Sequence, residues 1–156
     1  MPNLMVTNKC NLACSYCFGV EQMHPRMQKE YMSKEVFCSL LDWLKQSNEN
    51  YFHIMGGEPT QHPEFIWMLE ISSKMSFVVD IFSNGITDFS PEELETVRRL
   101  SRTWIVNVND PQKYTPIISA KLESLLQSLG EQVVLTFNII NTNYDPNYLF
   151  GYINKY

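Results

Sequence analysis

The hydrophobic and polar positions of the chain follow two alternating periods. Short runs rich in β-branched and aromatic residues are separated by longer segments in which apolar residues recur every three or four positions, and the alternation repeats about every 25 to 30 residues. This alternation is typical of βα units that build a parallel sheet. We predict five strands, at residues 3–7, 51–55, 77–82, 104–108 and 133–140.

The predicted helices carry recognisable start or stop signals. Ser33 can cap the first helix, and Pro63 suits the first position of the second. Ser90 opens a capping box for the third helix, and Gly130 suits a left-handed end of the fourth. A short last helix is predicted to begin at residues 145–146. The apolar residues predicted on the helix faces are Val36, Phe37, Leu40, Leu41, Leu44, Phe65, Ile66, Leu69, Leu94, Val97, Leu100, Ile118, Leu122, Leu125, Leu129, Tyr148, Leu149, Tyr152 and Ile153.

Five βα units predict an α/β fold with a parallel, partial TIM-type barrel. Each helix must return the chain to the same edge of the sheet, which gives right-handed crossovers. No linker or composition shift divides the sequence, so we predict a single domain over residues 1–156. Strand five would lie at an exposed edge, which proteins usually avoid. The last helix, a partner or further chain can cover that edge, and these three explanations stay open.

Composition and charge narrow the classes of function. The chain of 156 residues has room for one ordinary domain, and its 44% hydrophobic residues can supply a core. Its formal charge of −5 argues against a surface that binds nucleic acid. No apolar run approaches the roughly 20 residues of a membrane span, and the N-terminus MPNLMVTNKC lacks the apolar stretch of a signal peptide. We therefore expect a soluble cytoplasmic protein with no nucleic-acid or membrane partner.

Cysteine, glycine and polar residues follow the predicted strands. The carboxyl ends of parallel strands meet at one opening, where sites form in α/β folds. We therefore expect the candidate residues of all five loops to face one another. They are Cys10, Cys14, Tyr16 and Cys17 after strand one, Gly56, Gly57, Glu58 and Pro59 after strand two, Ser83 and Asn84 after strand three, Asn107 and Asn109 at strand four, and Asn138 in strand five.

Three of the four cysteines fall within eight positions, at Cys10, Cys14 and Cys17. In a reducing compartment such a group is more often a metal or redox site than a set of disulfides. Three thiolates in a loop can hold an iron–sulfur cubane that leaves one iron open to an outside ligand. The alternatives are a zinc site with His24 or Cys38 as its fourth ligand, and a buried group of free thiols.

The segment Gly56-Gly57-Glu58-Pro59 is the second candidate motif. Glycines let the backbone approach a ligand closely and expose its amides and carbonyls. The carboxylate of Glu58 can then receive a cationic group. The same four residues also make an ordinary turn, so their interpretation depends on the cysteines.

Together the two motifs resemble the core of radical S-adenosylmethionine (radical SAM) enzymes. The hallmark of this family is three cysteines separated by three and by two residues, with an aromatic residue before the third, and Cys10, Cys14, Tyr16 and Cys17 match it. Its second motif, Gly-Gly-Glu-Pro after strand two, is matched by residues 56–59. The resemblance covers about residues 1–142 and is greatest to the SPASM-type peptide and protein maturases, without their cysteine-rich extension.

The resemblance implies a [4Fe-4S] cluster on the three cysteines and bound S-adenosylmethionine. An electron donor such as flavodoxin or ferredoxin would reduce the cluster. Cleavage would give methionine and a 5′-deoxyadenosyl radical, which takes a hydrogen atom from a peptide, protein or small-molecule substrate. The implied cofactor-binding residues are Gly56, Gly57, Glu58 and Pro59 for the methionine amino group, Tyr16 and Asn138 for the adenine, and Asn107, Asn109 and Ser83 for the ribose.

Two departures from the family pattern, the missing sixth βα unit and the missing cysteine-rich extension, leave other functions open. The family core has six βα units, so five units predict a (βα)6 barrel that is incomplete and a core domain that is truncated at its C-terminal end. Very short family members also occur as activating proteins for glycyl-radical enzymes, which is the chief alternative for the substrate class. A catalytically inactive iron–sulfur or zinc-binding module is the other alternative.

Overall fold

The computed structural model describes residues 1–19, 30–109, 114–139, 142–143 and 145–156. All five strands are parallel and lie side by side in chain order in one sheet. A TIM-type barrel has the same strand order, and here the described strands form an open part of such a barrel. The predicted partial barrel is therefore confirmed. The strands are β1 (Asn3–Met5), β2 (Tyr51–Met55), β3 (Val78–Ser83), β4 (Thr103–Asn107) and β5 (Val133–Thr136).

The helices begin and end largely where the local signals place them. Ser33 accepts a hydrogen bond from the backbone N–H of Val36, and Ser90 and Glu93 form the predicted capping box. Gly130 ends the fourth helix with a φ of 54°, a value that favours glycine. The helices are α1 (Lys34–Gln46), α2 (Phe65–Lys74), α3 (Pro91–Leu100), α4 (Pro116–Leu129) and α5 (Asn147–Ile153).

The predicted start of α2 and the predicted end of β5 are wrong. Helix α2 begins at Phe65 rather than Pro63, because the ring Nδ1 of His62 accepts the N–H of Glu64 at 3.0 Å and holds the chain in a turn. Strand β5 ends at Thr136 instead of reaching residue 140, which lies outside the described residues. The neighbouring strand β4 ends at Asn107, opposite Thr136. Among the described residues, β4 therefore offers no paired residue to the chain beyond Thr136.

Two further expectations need adjustment. Strand β1 ends at Met5 rather than at residue 7, and Thr7 forms an antiparallel bridge with Tyr31. Val36 was predicted on the apolar face of α1 but is 50% exposed, while Phe37, Leu41 and Leu44 are fully buried. The buried stripe of α1 is therefore narrower than the predicted one.

The core lies between the helices and one face of the sheet. Alternate strand residues point into it, as expected for strands covered by helices on that side. Its largest fully buried side chains are Trp104, Phe37, Phe52, Leu41, Leu44, Ile54, Met68, Leu69, Ile81, Leu122, Leu126 and Leu129. In the part of the chain that the structure describes, no helix is long and apolar enough to cross a bilayer.

The opposite, concave face of the sheet holds a polar layer near the amino ends of the strands. His53 lies beside Asp80 in the register of β2 and β3. The hydroxyl of Tyr51 donates to Asp80 at 2.6 Å and lies 2.6 Å from Nε2 of His53. Arg102 donates twice to Asp80, at 2.9 and 2.7 Å. This network fills the lower part of the concave face and leaves the carboxyl ends of the strands for a cavity.

Two buried histidines predict a loss of stability in mild acid. Burial lowers the pKa of both His53 and His62 below the usual value, which is about 6.5 for a histidine in an unfolded chain. Below about pH 6.5 the unfolded chain therefore binds more protons, so the free energy of unfolding falls as the pH drops. Urea unfolding between about pH 5 and pH 7.5 measures this slope. The double variant His53→Gln, His62→Gln should lose the histidine contribution to this slope, and a double variant that keeps the wild-type slope would contradict the assignment.

Candidate functional site

A cavity of about 370 Å³ opens at the carboxyl ends of the strands. Residues at the carboxyl ends of all five strands or in the loops after them line it, as the topology predicts. Ten of the candidate residues lie on its wall. They are Cys10, Cys14, Tyr16, Cys17, Gly56, Gly57, Ser83, Asn84, Asn107 and Asn138, and the wall also includes Leu12, Phe18, Met55, Phe82, Ile105, Thr136 and Phe137.

The loop that carries the cysteines is closed at its base. Buried Thr7 donates its hydroxyl to the carbonyl of Glu30 at 2.8 Å and accepts the N–H of Lys9 at 3.0 Å. Asn8 accepts the N–H of Glu30 at 2.9 Å. On the return side, the Met32 N–H donates to the carbonyl of Val6 at 2.8 Å. The chain therefore leaves and rejoins the sheet at the same place, which fixes the start of the loop just before Cys10.

Gly56 and Gly57 are required by the backbone of this loop. A Cβ atom on Gly56 would lie 2.5 Å from the carbonyl oxygen of Thr7, and one on Gly57 would overlap the backbone carbonyl of Lys9. The N–H of Gly57 donates to the Thr7 carbonyl at 2.8 Å, and the next N–H, of Glu58, donates to the Lys9 carbonyl at 2.6 Å. The second motif therefore holds the chain that leads into the first. The close approach that we expected for a ligand is made here by the protein itself.

Glu58 lies beneath the cavity and is fully buried, and Pro59 is buried beside it; neither belongs to the cavity wall. One carboxylate oxygen of Glu58 accepts from the hydroxyl of Ser83 at 2.9 Å and from the hydroxyl and N–H of Thr60 at 2.8 and 3.2 Å. The other accepts from the N–H of Asn84 at 2.7 Å. Burial raises the pKa of Glu58, against the opposing effect of these hydrogen bonds. The carboxylate thus joins the ends of β2 and β3.

The turn after β3 is bound tightly by its own polar groups. The hydroxyl of Ser83 donates to Glu58 and accepts the N–H of Gly85 at 2.9 Å. The side-chain oxygen of Asn84 accepts the N–H of Ile86 at 2.9 Å. Ser83 was predicted to contact a ribose, and its hydroxyl is already engaged on both sides in this structure.

Tyr16 crosses the cavity and joins the cysteine loop to the end of β4. Its hydroxyl donates to the side-chain oxygen of Asn107 at 3.0 Å and contacts that of Asn109. Asn109 in turn donates to the hydroxyl of Tyr114 through its backbone and its side chain, at 3.2 and 3.1 Å. Burial raises the pKa of both tyrosines. Tyr114 was missed from the sequence because it lies seven residues beyond the end of β4 and belongs to no local motif.

Removing the Tyr16 hydroxyl should weaken the contact between the cysteine loop and the end of β4. The variant Tyr16→Phe leaves two amide oxygens without this donor, so we expect the free energy of unfolding to fall by about 0.5–1.5 kcal/mol. Urea unfolding measures the change. Tyr31→Phe is the control, because among the described residues none is hydrogen-bonded to its hydroxyl. Equal effects of the two substitutions would show that the Tyr16 contacts contribute nothing to the fold.

The three clustered thiols fit a shared iron–sulfur cluster. Cys10, Cys14 and Cys17 are partly buried on the wall of one cavity, and burial raises the pKa of the Cys10 thiol. In a cubane each thiolate binds a different iron, so the sulfur atoms surround the cluster. Among the described residues, no three histidine, cysteine or acidic side chains form a group that could hold one metal ion.

Cys38 and His24 were named as possible fourth ligands of a zinc site, and the structure describes only Cys38. Cys38 lies on α1, outside the cavity wall. His24 falls outside the described residues.

Comparison with known proteins gives one family match. The model of the radical SAM superfamily matches residues 4–123, about three quarters of the chain. A cofactor-modifying protein for tungsten-containing aldehyde ferredoxin oxidoreductase from Pyrococcus furiosus is 34% identical over 95 residues, which cover 58% of this chain and 26% of that protein. An S-adenosylmethionine-dependent nucleotide dehydratase from a Thermoplasmatales archaeon is 31% identical over 83 residues, 53% of this chain and 28% of that protein. The matches thus span about a quarter of these relatives' length.

The fold is also found among solved structures. Streptococcus suis SuiB bound to S-adenosylmethionine superposes with a TM-score of 0.71 at 16% identity, over 97% of this chain and 36% of SuiB. SuiB has also been solved bound to the precursor peptide SuiA. At this level of identity the likeness shows a shared fold.

Proposed function

The chain belongs to the radical SAM superfamily, and from this membership we propose that its cavity binds a [4Fe-4S] cluster and S-adenosylmethionine for radical chemistry on a peptide or protein. Cys10, Cys14 and Cys17 would ligate the cluster. When bound and reduced, this cofactor pair supplies one electron to the sulfonium, which yields methionine and a carbon radical able to take a hydrogen atom from the substrate.

One observation carries the proposal: the three thiols share a single cavity with the Gly56-Gly57 segment. The cluster motif and the second family motif are separated by about forty residues, yet backbone hydrogen bonds join the second motif to Thr7 and Lys9, which lead directly into Cys10. A cavity of about 370 Å³ lined by thiols, glycine backbone and amides offers both metal ligands and polar groups for a zwitterionic ligand.

The residues of this chain would bind and orient the cofactor. Backbone groups of Gly56 and Gly57 face the cavity and would bind the methionine amino group, with Glu58 and Pro59 holding that segment from below. Asn107 lies on the wall at the end of β4 and would contact the ribose, with Asn109 beside it on the Tyr16 hydroxyl. Tyr16 and Asn138 also lie on the wall and would contact the adenine.

A peptide or protein substrate is favoured by the cavity mouth and by one structural relative. Phe18 and Phe137 lie on the wall and remain 72% and 45% exposed, so the mouth offers apolar contact to an incoming side chain. SuiB, which shares the fold, has been solved with its precursor peptide. An electron donor of the flavodoxin or ferredoxin type completes the proposal, in which residues 1–156 act as one core domain.

Cysteine variants test the cluster directly. The protein is reconstituted anaerobically with iron and sulfide, and iron, sulfide and visible absorption are measured per chain. Cys14→Ser should lose the cluster, because a thiolate ligand is removed. Cys38→Ser is the matched control, since Cys38 lies outside the cavity, and it should load like the wild type. Equal iron in both variants, or zinc without iron in the wild type, would overturn the proposal.

A further inference from the structure

The side chain of Asn84 reaches from the turn after β3 to the first cysteine. Its amide nitrogen Nδ2 lies 3.8 Å from Sγ of Cys10, and the backbone N–H of Leu12 donates to the same sulfur at 3.4 Å. Two N–H groups from different parts of the chain are therefore directed at one thiol. Asn84 also lies on the cavity wall.

Three other hydrogen bonds fix the orientation of Asn84. Its backbone N–H is held by Glu58 at 2.7 Å, and its side-chain oxygen accepts the N–H of Ile86 at 2.9 Å. Its Nδ2 donates to the side-chain oxygen of Asn11 at 2.7 Å, and Asn11 donates through its own nitrogen to the carbonyl of Ile86 at 2.6 Å. The oxygen of Asn84 must face an N–H, so its NH₂ group must face Asn11 and Cys10.

The charges around Cys10 give this contact a function. Cys10 is partly buried beside two further cysteines, and the carboxylate of Glu58 lies close enough to disfavour more negative charge on it. Reduction adds one negative charge to a thiolate-bound cluster. Hydrogen bonds to the ligating sulfurs stabilise that charge and help to set the reduction potential. An oriented amide N–H at Cys10 counters the effect of the neighbouring negative groups.

We propose that Asn84 is a positioning residue for Cys10 whose amide N–H raises the reduction potential of the cluster on Cys10, Cys14 and Cys17. The inference rests on the proposed function, because it needs that cluster. The turn after β3 would thus help the cluster to accept an electron. Glu58 would hold this turn in place through its hydrogen bonds with Ser83 and Asn84.

The test is a reductive titration of the reconstituted protein without S-adenosylmethionine, followed by electron paramagnetic resonance. Asn84→Ser keeps a side-chain oxygen for the Ile86 N–H but does not reach Cys10, so the midpoint potential should shift to a more negative value. Asn84→Asp keeps the shape of the turn, removes the donor and adds a charge, so its shift should be larger. Asn154→Ser, the same change at the exposed C-terminal end of α5 outside the cavity, should keep the wild-type midpoint.

The possible results separate the two claims. Wild-type midpoints in both Asn84 variants at full iron content would overturn the role of Asn84 and leave the cluster assignment intact. Should Asn84→Ser lose iron, Asn84→Asp decides the question because it keeps the bond to Ile86. A wild-type protein that binds no cluster would overturn the proposed function, and this inference would fall with it.

Discussion

Gly57→Ala is expected to unfold the base of the cysteine loop and to abolish cluster loading. The new Cβ would overlap the Lys9 carbonyl group and lie 2.5 Å from its carbon, and both are backbone atoms that cannot move without shifting the loop. The hydrogen bonds from Gly57 to Thr7 and from Glu58 to Lys9 would then break. Forcing extra atoms into a packed site costs about 1–3 kcal/mol, and the lost hydrogen bonds add about 1 kcal/mol each.

The chain offers a matched control for this substitution. Gly151 lies in α5 with no atom within 4 Å of its added Cβ, so Gly151→Ala should be neutral or stabilise by about 0.5–1 kcal/mol. Urea unfolding of the metal-free proteins and iron per chain after reconstitution measure the two effects. If Gly57→Ala unfolded like the control and loaded iron normally, the coupling of the two motifs through their backbones would be wrong.

Glu58→Ala should destabilise the metal-free protein by more than about 3 kcal/mol. The substitution removes the acceptor of four hydrogen bonds from Thr60, Ser83 and Asn84 in a fully buried position. Leaving a buried donor without a partner costs about 1–3 kcal/mol, and here several donors lose theirs together. Urea unfolding measures the loss.

Two comparison variants isolate this effect from the loss of a charge. Glu58→Gln keeps one oxygen for Ser83 and Thr60 but turns an NH₂ group toward the Asn84 N–H, so it should be intermediate. Glu64→Ala breaks an ion pair with Lys34 whose side chains are both about 40% exposed, and should cost at most about 1 kcal/mol. A Glu58→Ala variant as stable as Glu64→Ala would refute a structural role for the buried carboxylate.

The fold was predictable because its signals are local. Strand β2 has the predicted bounds, and β3 and β4 differ by one residue at each end. The capping box at Ser90 and Glu93 depends on residues three positions apart. Strand β5 was overextended because its end is set by where β4 stops, which its own sequence does not show.

The candidate site was predictable in its location and only partly in its contacts. Parallel topology alone brings the cysteine loop and the Gly-Gly segment to one opening. The burial of Glu58 depends on Ser83 and Asn84, which lie 25 and 26 positions further along the chain. The contact between Tyr16 and Asn107 spans 91 positions. Such pairings follow from tertiary packing, and a single sequence carries no local mark of them.

The central claim is tested most directly by the formation of 5′-deoxyadenosine. The chain is reconstituted anaerobically with iron and sulfide, reduced and mixed with S-adenosylmethionine, and the product is quantified, with Cys14→Ala as the control. The account predicts 5′-deoxyadenosine from the wild type and none from the variant. A fully loaded, reduced wild-type cluster that forms no product would contradict it.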